Sequence, residues 1–284
     1  QKGIEVVAAS NPRSRSAEAY RVVRSAIIFA ATADATMNNG NGKPPKLVTQ
    51  TGQAPDLGPQ VIMVTSPCPG EGKTTTTANL AAVLAEGGLS VLVINCDFRR
   101  PRVHKYLVHG GASASESVMV PGGDEKYEVR AMRTDIPKVK LITGIGENDP
   151  HANPLEIVAV QRRIVHSARS HFDAFLLDTA PILTTNDASE LLPECDHVVM
   201  VIRNGKTKRE AAMRTAEVLT RFEAPTLGVV FNGSDDTPAV QYYYNYYLDS
   251  TGKRVRGPAY LDPAKGPAPT PTASEEPPER APVT

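Results

Sequence analysis

Five short apolar runs recur along the chain, at Val61–Thr65, Val91–Ile94, Ala174–Leu177, Val198–Ile202 and Leu227–Phe231. They are continuous rather than alternating, which suits strands buried on both faces. Helical patterns lie between them, near Lys73–Glu86, Pro154–Ala168 and Lys208–Phe222. Strands and helices in alternation predict an α/β fold with a mostly parallel sheet flanked by helices. Upstream, Ser16–Ala31 reads as an amphipathic helix, with Ser16 as its N-cap and Glu18 in the positive first turn. Tyr20, Val23 and Ile27 recur on one face of it, and Arg21 and Arg24 point elsewhere.

Two stretches break the pattern. From Asn38-Asn39-Gly40-Asn41-Gly42 to Pro59 nothing is spaced to form a core, as expected of a loop or linker. Near the other end Tyr242, Tyr243, Tyr244, Tyr246 and Tyr247 crowd together, and after Gly257 large apolar residues almost vanish among Pro, Ala, Thr and Glu. Such a tail cannot bury enough surface to fold and is expected to be disordered.

Composition narrows the function. Lys and Arg number 31 and Asp and Glu number 31, so the chain lacks the basic excess of a general nucleic-acid surface. Three cysteines, Cys68, Cys96 and Cys195, have neither paired nor metal-like spacing, which points to a reducing cytosol. No run approaches the ~18 apolar residues of a membrane span, and no signal peptide is visible.

The chemistry begins at Val61–Thr65, which leads into Ser66-Pro67-Cys68-Pro69-Gly70-Glu71-Gly72-Lys73-Thr74. A strand, a Gly-containing loop and a helix opening with Lys and Thr make a phosphate cradle of backbone N–H groups. Gly70 and Gly72 permit the tight backbone, Lys73 reaches the β- and γ-phosphates, and Thr74 ligates Mg²⁺. Pro67 stands where the first glycine of the pattern usually falls. Asp178, at the C-terminal end of Phe175-Leu176-Leu177-Asp178, supplies the second carboxylate such sites need. Asp97 lies just past another buried strand. A tyrosine hydroxyl is about 0.1% ionised at neutral pH, so transfer to it is helped by a base, and Asp97 is the best-placed candidate. Asp187 reads as a cap for the segment Ala188–Leu192, with a contact near the Mg²⁺ site as the alternative. Asn232, ending the last strand, offers an amide for reading adenine.

In their order these segments resemble the bacterial tyrosine kinases that regulate capsule and exopolysaccharide export. Glu18-Ala19-Tyr20-Arg21, continuing through Arg24 and Ile27, is similar to that family's subunit-contact helix. Pro69–Thr74 is similar to its Walker A loop, Ile94-Asn95-Cys96-Asp97-Phe98-Arg99-Arg100-Pro101 to its Walker A′ segment, and Leu176-Leu177-Asp178-Thr179-Ala180-Pro181 to its Walker B segment. The tyrosine cluster matches its phosphoacceptor tail. Three features depart from the family: Asn95 where Asp is usual, Ala180 where Pro is usual, and a longer tail after the tyrosines.

The resemblance implies a P-loop NTPase fold and an ATP- and Mg²⁺-dependent tyrosine autokinase. Lys73, Asp97 and Asp178 would be catalytic. Pro69, Gly70, Glu71, Gly72, Lys73, Thr74, Thr75 and Asn232 would hold the nucleotide, and Thr74, Asp97 and Asp178 the metal. Tyr242, Tyr243, Tyr244, Tyr246 and Tyr247 would accept phosphate in trans, and Glu18, Tyr20, Arg21 and Arg24 would meet a neighbouring subunit. It implies a ring-like homo-oligomer at the inner face of the cell membrane, a membrane-embedded polysaccharide co-polymerase as activator, and a cognate tyrosine phosphatase. The expected organisation is 1–35 as an N-terminal segment with the contact helix, 36–60 as a flexible insertion, 61–235 as the kinase domain, 236–257 as the tyrosine segment and 258–284 as the Pro-rich tail. Two other readings stay open: a non-kinase ATPase switch of the partitioning or septum-site type, and a catalytically weak ATP-binding scaffold, which Asn95 favours.

Overall fold

The computed structural model describes residues 6–38, 58–109, 115–122, 125–146 and 153–234. The tyrosine cluster, the Pro-rich tail and most of the 36–60 insertion lie outside the described residues. Among the described residues eight strands form one sheet: β1 (Gln60–Thr65), β2 (Val91–Asn95), β3 (Ser115–Gly122), β4 (Glu125–Arg133), β5 (Val139–Ile142), β6 (Ala174–Asp178), β7 (His197–Arg203) and β8 (Thr226–Asn232). Their spatial order is β3-β4-β5-β2-β6-β1-β7-β8. From β5 to β8 all neighbours run parallel, while β3, β4 and β5 pair antiparallel. The α/β expectation holds.

The helices are α1 (Val7–Ser10), α2 (Arg15–Asn38), α3 (Lys73–Glu86), α4 (His104–Leu107), α5 (Pro154–Ala168), α6 (Asp187–Leu191) and α7 (Arg209–Arg221). Alternate residues of the central strands serve two cores. Val61, Met63, Leu92, Ile94, Phe175 and Leu177 pack under α5 and α7, and Ile62, Val64, Val91, Val93 and Leu176 pack under α2 and α3. Both faces are dry, which is why these strands read as unbroken apolar runs. Among the described residues no helix is long and apolar enough to cross a membrane.

The five apolar runs became β1, β2, β6, β7 and β8, and the three helical patterns became α3, α5 and α7. The burial expected on both faces fails at β8, which ends the sheet and leaves Val229 and Phe231 more than half exposed. Strands β3, β4 and β5 were not expected. β5 is four residues with a lysine inside, and Glu125-Lys126-Tyr127-Glu128 opens β4, so neither shows an apolar run. β4 pairs antiparallel on both sides, and such a strand tolerates polar positions because one face can stay wet, whereas β5 is too short to show a run.

The N-terminal helix needs two corrections. It runs from Arg15 to Asn38, past the end expected at Ala31 and past the boundary set at 35. Its cap is Ser14, not Ser16: the Ser14 hydroxyl accepts the Ala17 N–H at 3.1 Å, and the Ser14 carbonyl takes the first helical bond from Glu18. A hydroxyl three residues before the bonded amide is the geometry that satisfies an orphan N–H, and Ser16 is already inside the helix.

Helix α2 lies on α3 of its own domain. Arg21 grips Glu86 with two nitrogens at 2.8 and 2.7 Å, and Arg24 reaches the Val83 carbonyl at 2.8 Å and Glu86 at 3.3 Å. The Arg21 guanidinium holds the Glu86 carboxyl below its usual range. Glu18 pairs with Arg21 at 3.0 Å, and Tyr20 is half-buried against Thr76. The residues expected at a subunit contact are thus engaged within one chain, and the outward face of α2 carries Val22 and Phe29, each 61% exposed.

Candidate active site

Because β2, β6, β1 and β7 lie side by side, the loops at their C-terminal ends share one crevice. The loop after β1 turns through Gly70 (φ +77°) and Gly72 (φ +104°) into α3. A Cβ at Gly72 would collide with the Asn232 amide, so that glycine is fixed by space as well as by φ; at Gly70 the only close neighbour is the movable end of Lys206, and φ alone demands glycine. The Glu71 carboxylate turns inward, 1% exposed, and braces the loop. It accepts the Cys68 N–H at 2.7 Å and the Thr207 hydroxyl at 2.5 Å.

Lys73 is the first residue of α3, and its Nζ stands 3.4 Å from Asp97 Oδ2. Both are buried. Asp97 also takes the Arg100 N–H on Oδ1 at 3.0 Å, closing the turn after β2. The Asp178 backbone carbonyl receives the Cys96 and Asp97 N–H groups at 2.8 and 3.0 Å, which fastens that turn to β6. Its side chain, 1% exposed, accepts the Thr77 hydroxyl at 3.3 Å. Burial pushes its pKa up from 3.8 to about 6 and Asp97 adds to the rise; Lys73 and the Thr74 and Thr77 hydroxyls hold it down. Asn95, equally buried, is register partner to Asp178.

Above these groups opens a cleft of about 660 Å³, lined by Pro69, Gly70, Gly72, Lys73, Thr74, Thr75 and Asp97. That is within the range of small-molecule sites. The oxygen donors of Thr74, Asp97 and Asp178 suit a hard cation such as Mg²⁺, which takes one or two carboxylates and completes its octahedron with phosphate and water. A buried carboxylate that resists ionising beside a second carboxylate is a place where a cation would be welcome.

A family model described as the CobQ/CobB/MinD/ParA nucleotide binding domain matches residues 62–257. Tyrosine-protein kinase YwqD of Bacillus subtilis is 32% identical over 241 residues, covering 84% of this chain and 90% of YwqD. The chain belongs to the bacterial tyrosine-protein kinases. The putative tyrosine-protein kinase EpsB of Ralstonia nicotianae is 32% identical over 195 residues, 67% of this chain but 25% of EpsB, so this kinase spans about a quarter of that relative. The chimerical protein CapA2B2 shares the fold at a TM-score of 0.60 and 23% identity, over 81% of this chain and 90% of that one. The kinase domain of Escherichia coli ETK does so at 0.58 and 22%, over 84% of each.

In this kinase the expected site residues divide into two groups. Lys73, Thr74, Asp97 and Asp178 converge, with Thr75 on the cleft wall, where its hydroxyl meets Tyr106 at 3.0 Å. Glu71 and Asn232 face the underside of the loop instead. The Asn232 amide donates to the Glu71 carbonyl at 3.2 Å and the Thr76 hydroxyl at 3.3 Å. Asp187 is no helix cap, since its carboxylate pairs with Arg99 at 2.8 Å and leaves the start of α6 without a side-chain cap.

Sequence reasoning missed Arg102, Tyr106, Arg203 and Lys206, which also line the cleft. Arg203 and Lys206 reach the Gly70 carbonyl at 3.4 and 3.3 Å. The signal was available, because Arg203-Asn204-Gly205-Lys206 is a polar loop just past a parallel strand, where ligand-facing residues sit. Cys68, Cys96 and Cys195 are free, and burial pushes the thiols of the last two well up.

Proposed function

We propose that this chain is an ATP-dependent tyrosine autokinase that phosphorylates Tyr242, Tyr243, Tyr244, Tyr246 and Tyr247 of a neighbouring copy. The observation that carries the reading is the meeting of Lys73 and Asp97 beside a phosphate loop in one cleft, with the buried Asp178 carboxylate interacting with both. In this mechanism the tyrosyl oxygen attacks the γ-phosphorus, the bond to the bridging oxygen breaks, and ADP leaves. The phenolic proton passes to Asp97. Lys73 and the loop N–H groups neutralise charge on the transferring phosphoryl group. Thr74, Asp97 and Asp178 would hold Mg²⁺, which neutralises further phosphate charge when bound. Glu71 and Asn232 keep the loop in shape, and Pro69, Gly70, Gly72 and Thr75 contact the nucleotide.

The family resemblance extends the proposal to a ring-like homo-oligomer through the Glu18, Tyr20, Arg21 and Arg24 helix. It also brings a membrane-embedded polysaccharide co-polymerase as activator, a cognate phosphatase, and a place at the inner face of the cell membrane. Kinases called CpsD, EpsB and CapB among the relatives support a role in capsule or exopolysaccharide synthesis. A second reading, an ATP-binding scaffold with weak catalysis, is favoured by Asn95 beside Asp178. Mass spectrometry of the purified chain with and without Mg·ATP separates the two. Phosphate on the tail tyrosines, absent after Asp97→Ala, supports the kinase, whereas an unmodified tail under saturating Mg·ATP leaves the scaffold.

A further inference from the structure

The cleft holds more positive charge than a nucleotide requires. Lys73, Arg203 and Lys206 sit on or over the phosphate loop, and Arg99 is occupied by Asp187. Arg100 and Arg102 remain. Both line the cleft, both are exposed, and neither guanidinium has a hydrogen-bond or ion-pair partner among the described residues. They stand on the β2 side of the site, across the β6–β1 pair from the loop that carries Arg203 and Lys206. Arg100 is also held close to the chemistry. Its N–H bonds the Asp97 carboxylate at 3.0 Å, and its peptide closes a turn onto the Asp97 carbonyl at 3.2 Å. Arg100 and Arg102 thus line the same cleft as Asp97, within five residues of it along the chain.

We propose that Arg100 and Arg102 select the acceptor peptide by an acidic residue just after the tyrosine, and that Asp249 makes Tyr246 and Tyr247 the preferred acceptors in the tail of a second copy. This rests on the kinase reading above. The reach is right: two to three residues of extended chain span about 7–10 Å, which carries a carboxylate from Tyr246 or Tyr247 to the neighbourhood of a long arginine side chain. Asp235 and Asp236 lie six or more residues before the first tyrosine, about 20 Å of extended chain, too far to act at the same two groups. The next charge downstream, Lys253, is four residues beyond Asp249. Exposed pairs of this kind are worth little singly, about two- to fivefold in an association constant. They fade with salt, because at 1 M the screening length falls to about 3 Å.

The test uses the full chain and synthetic peptides covering residues 240–250, either as in this sequence or with Asp249→Asn or Asp249→Lys. Initial rates on the peptide are followed by mass spectrometry at low and high salt. The expected result is a kcat/KM about threefold lower for the Asn peptide and about tenfold lower for the Lys peptide, carried by KM and collapsing at high salt. An R100E/R102E double variant should reverse the order and prefer the Lys peptide. Equal rates on all three peptides overturn the selection while leaving the kinase reading intact. No phosphorylation of any peptide or of the tail defeats the kinase reading itself. Should the double variant fail to fold, the three peptides with the unaltered enzyme still decide the matter, and a lowered kcat with constant KM also counts against it.

Discussion

Replacing Asp178 with Asn should make the ligand-free protein more stable and the enzyme inactive. The side chain is 1% exposed, and burial is the main reason its pKa is raised from 3.8 to about 6. A carboxyl whose folded pKa lies above its unfolded value contributes stability that is complete below the unfolded pKa and is lost as pH rises through the folded one. The window here is therefore about pH 4 to 6. Each unit is worth about 1.4 kcal/mol, so ionised Asp178 costs the fold about 3 kcal/mol at pH 8 and about 1 kcal/mol at pH 4.5. Asn has the same shape, keeps an acceptor for Thr77, and carries no charge. Urea unfolding followed by circular dichroism, with EDTA and no nucleotide, should find Asp178→Asn about 2 kcal/mol or more above the parent at pH 8, with the gap narrowing at pH 4.5. Mg·ATP should reverse the ranking by stabilising the parent alone, since a ligand raises stability only where it binds the native state. A variant less stable than the parent at pH 8, or a gap that ignores pH, would refute the claim that Asp178 is held at a desolvation cost for a cation.

The other predictions share this geometry. Lys73→Ala should leave a folded domain whose tail phosphorylation falls about 10²–10³-fold, and nucleotide titration with unchanged affinity would remove the loop from the mechanism. Asn95→Asp should raise phosphorylation by adding a metal carboxylate, yet lower apo stability at neutral pH, because the new charge lies buried beside Asp178; time courses and thermal melts measure the two effects separately. Gly72→Ala should cost about 1–3 kcal/mol for its backbone region alone, plus displacement of Asn232, and should show as a lowered melting temperature with weakened ATP binding. Glu71→Ala should destabilise by about 2–3 kcal/mol through two lost charge-assisted hydrogen bonds, although its side chain does not line the cleft.

The strands that build the floor of the site were legible because both their faces are dry. Continuous apolar runs need no knowledge of the partner strand to be recognised, and α3, α5 and α7 followed from periodicity between them. Lys73, Thr74, Asp97 and Asp178 were legible for a related reason: each sits at a fixed offset from the end of such a run, where a parallel sheet directs side chains into its crevice. Glu71 and Asn232 looked like ligand contacts on the same grounds. Only the folded chain shows that they turn under the loop, because their partners, Cys68, Thr207 and Thr76, come together through β7, β8 and α3. Arg21 and Arg24 repeat the lesson, since helical spacing can place two arginines on a face but cannot reveal that Glu86, far along the chain, meets them there. Local spacing determined which residues could line a phosphate cleft, and the strand order decided which of them do line the cleft and which arginines stand beside them, because that order is set by packing between segments far apart in the chain.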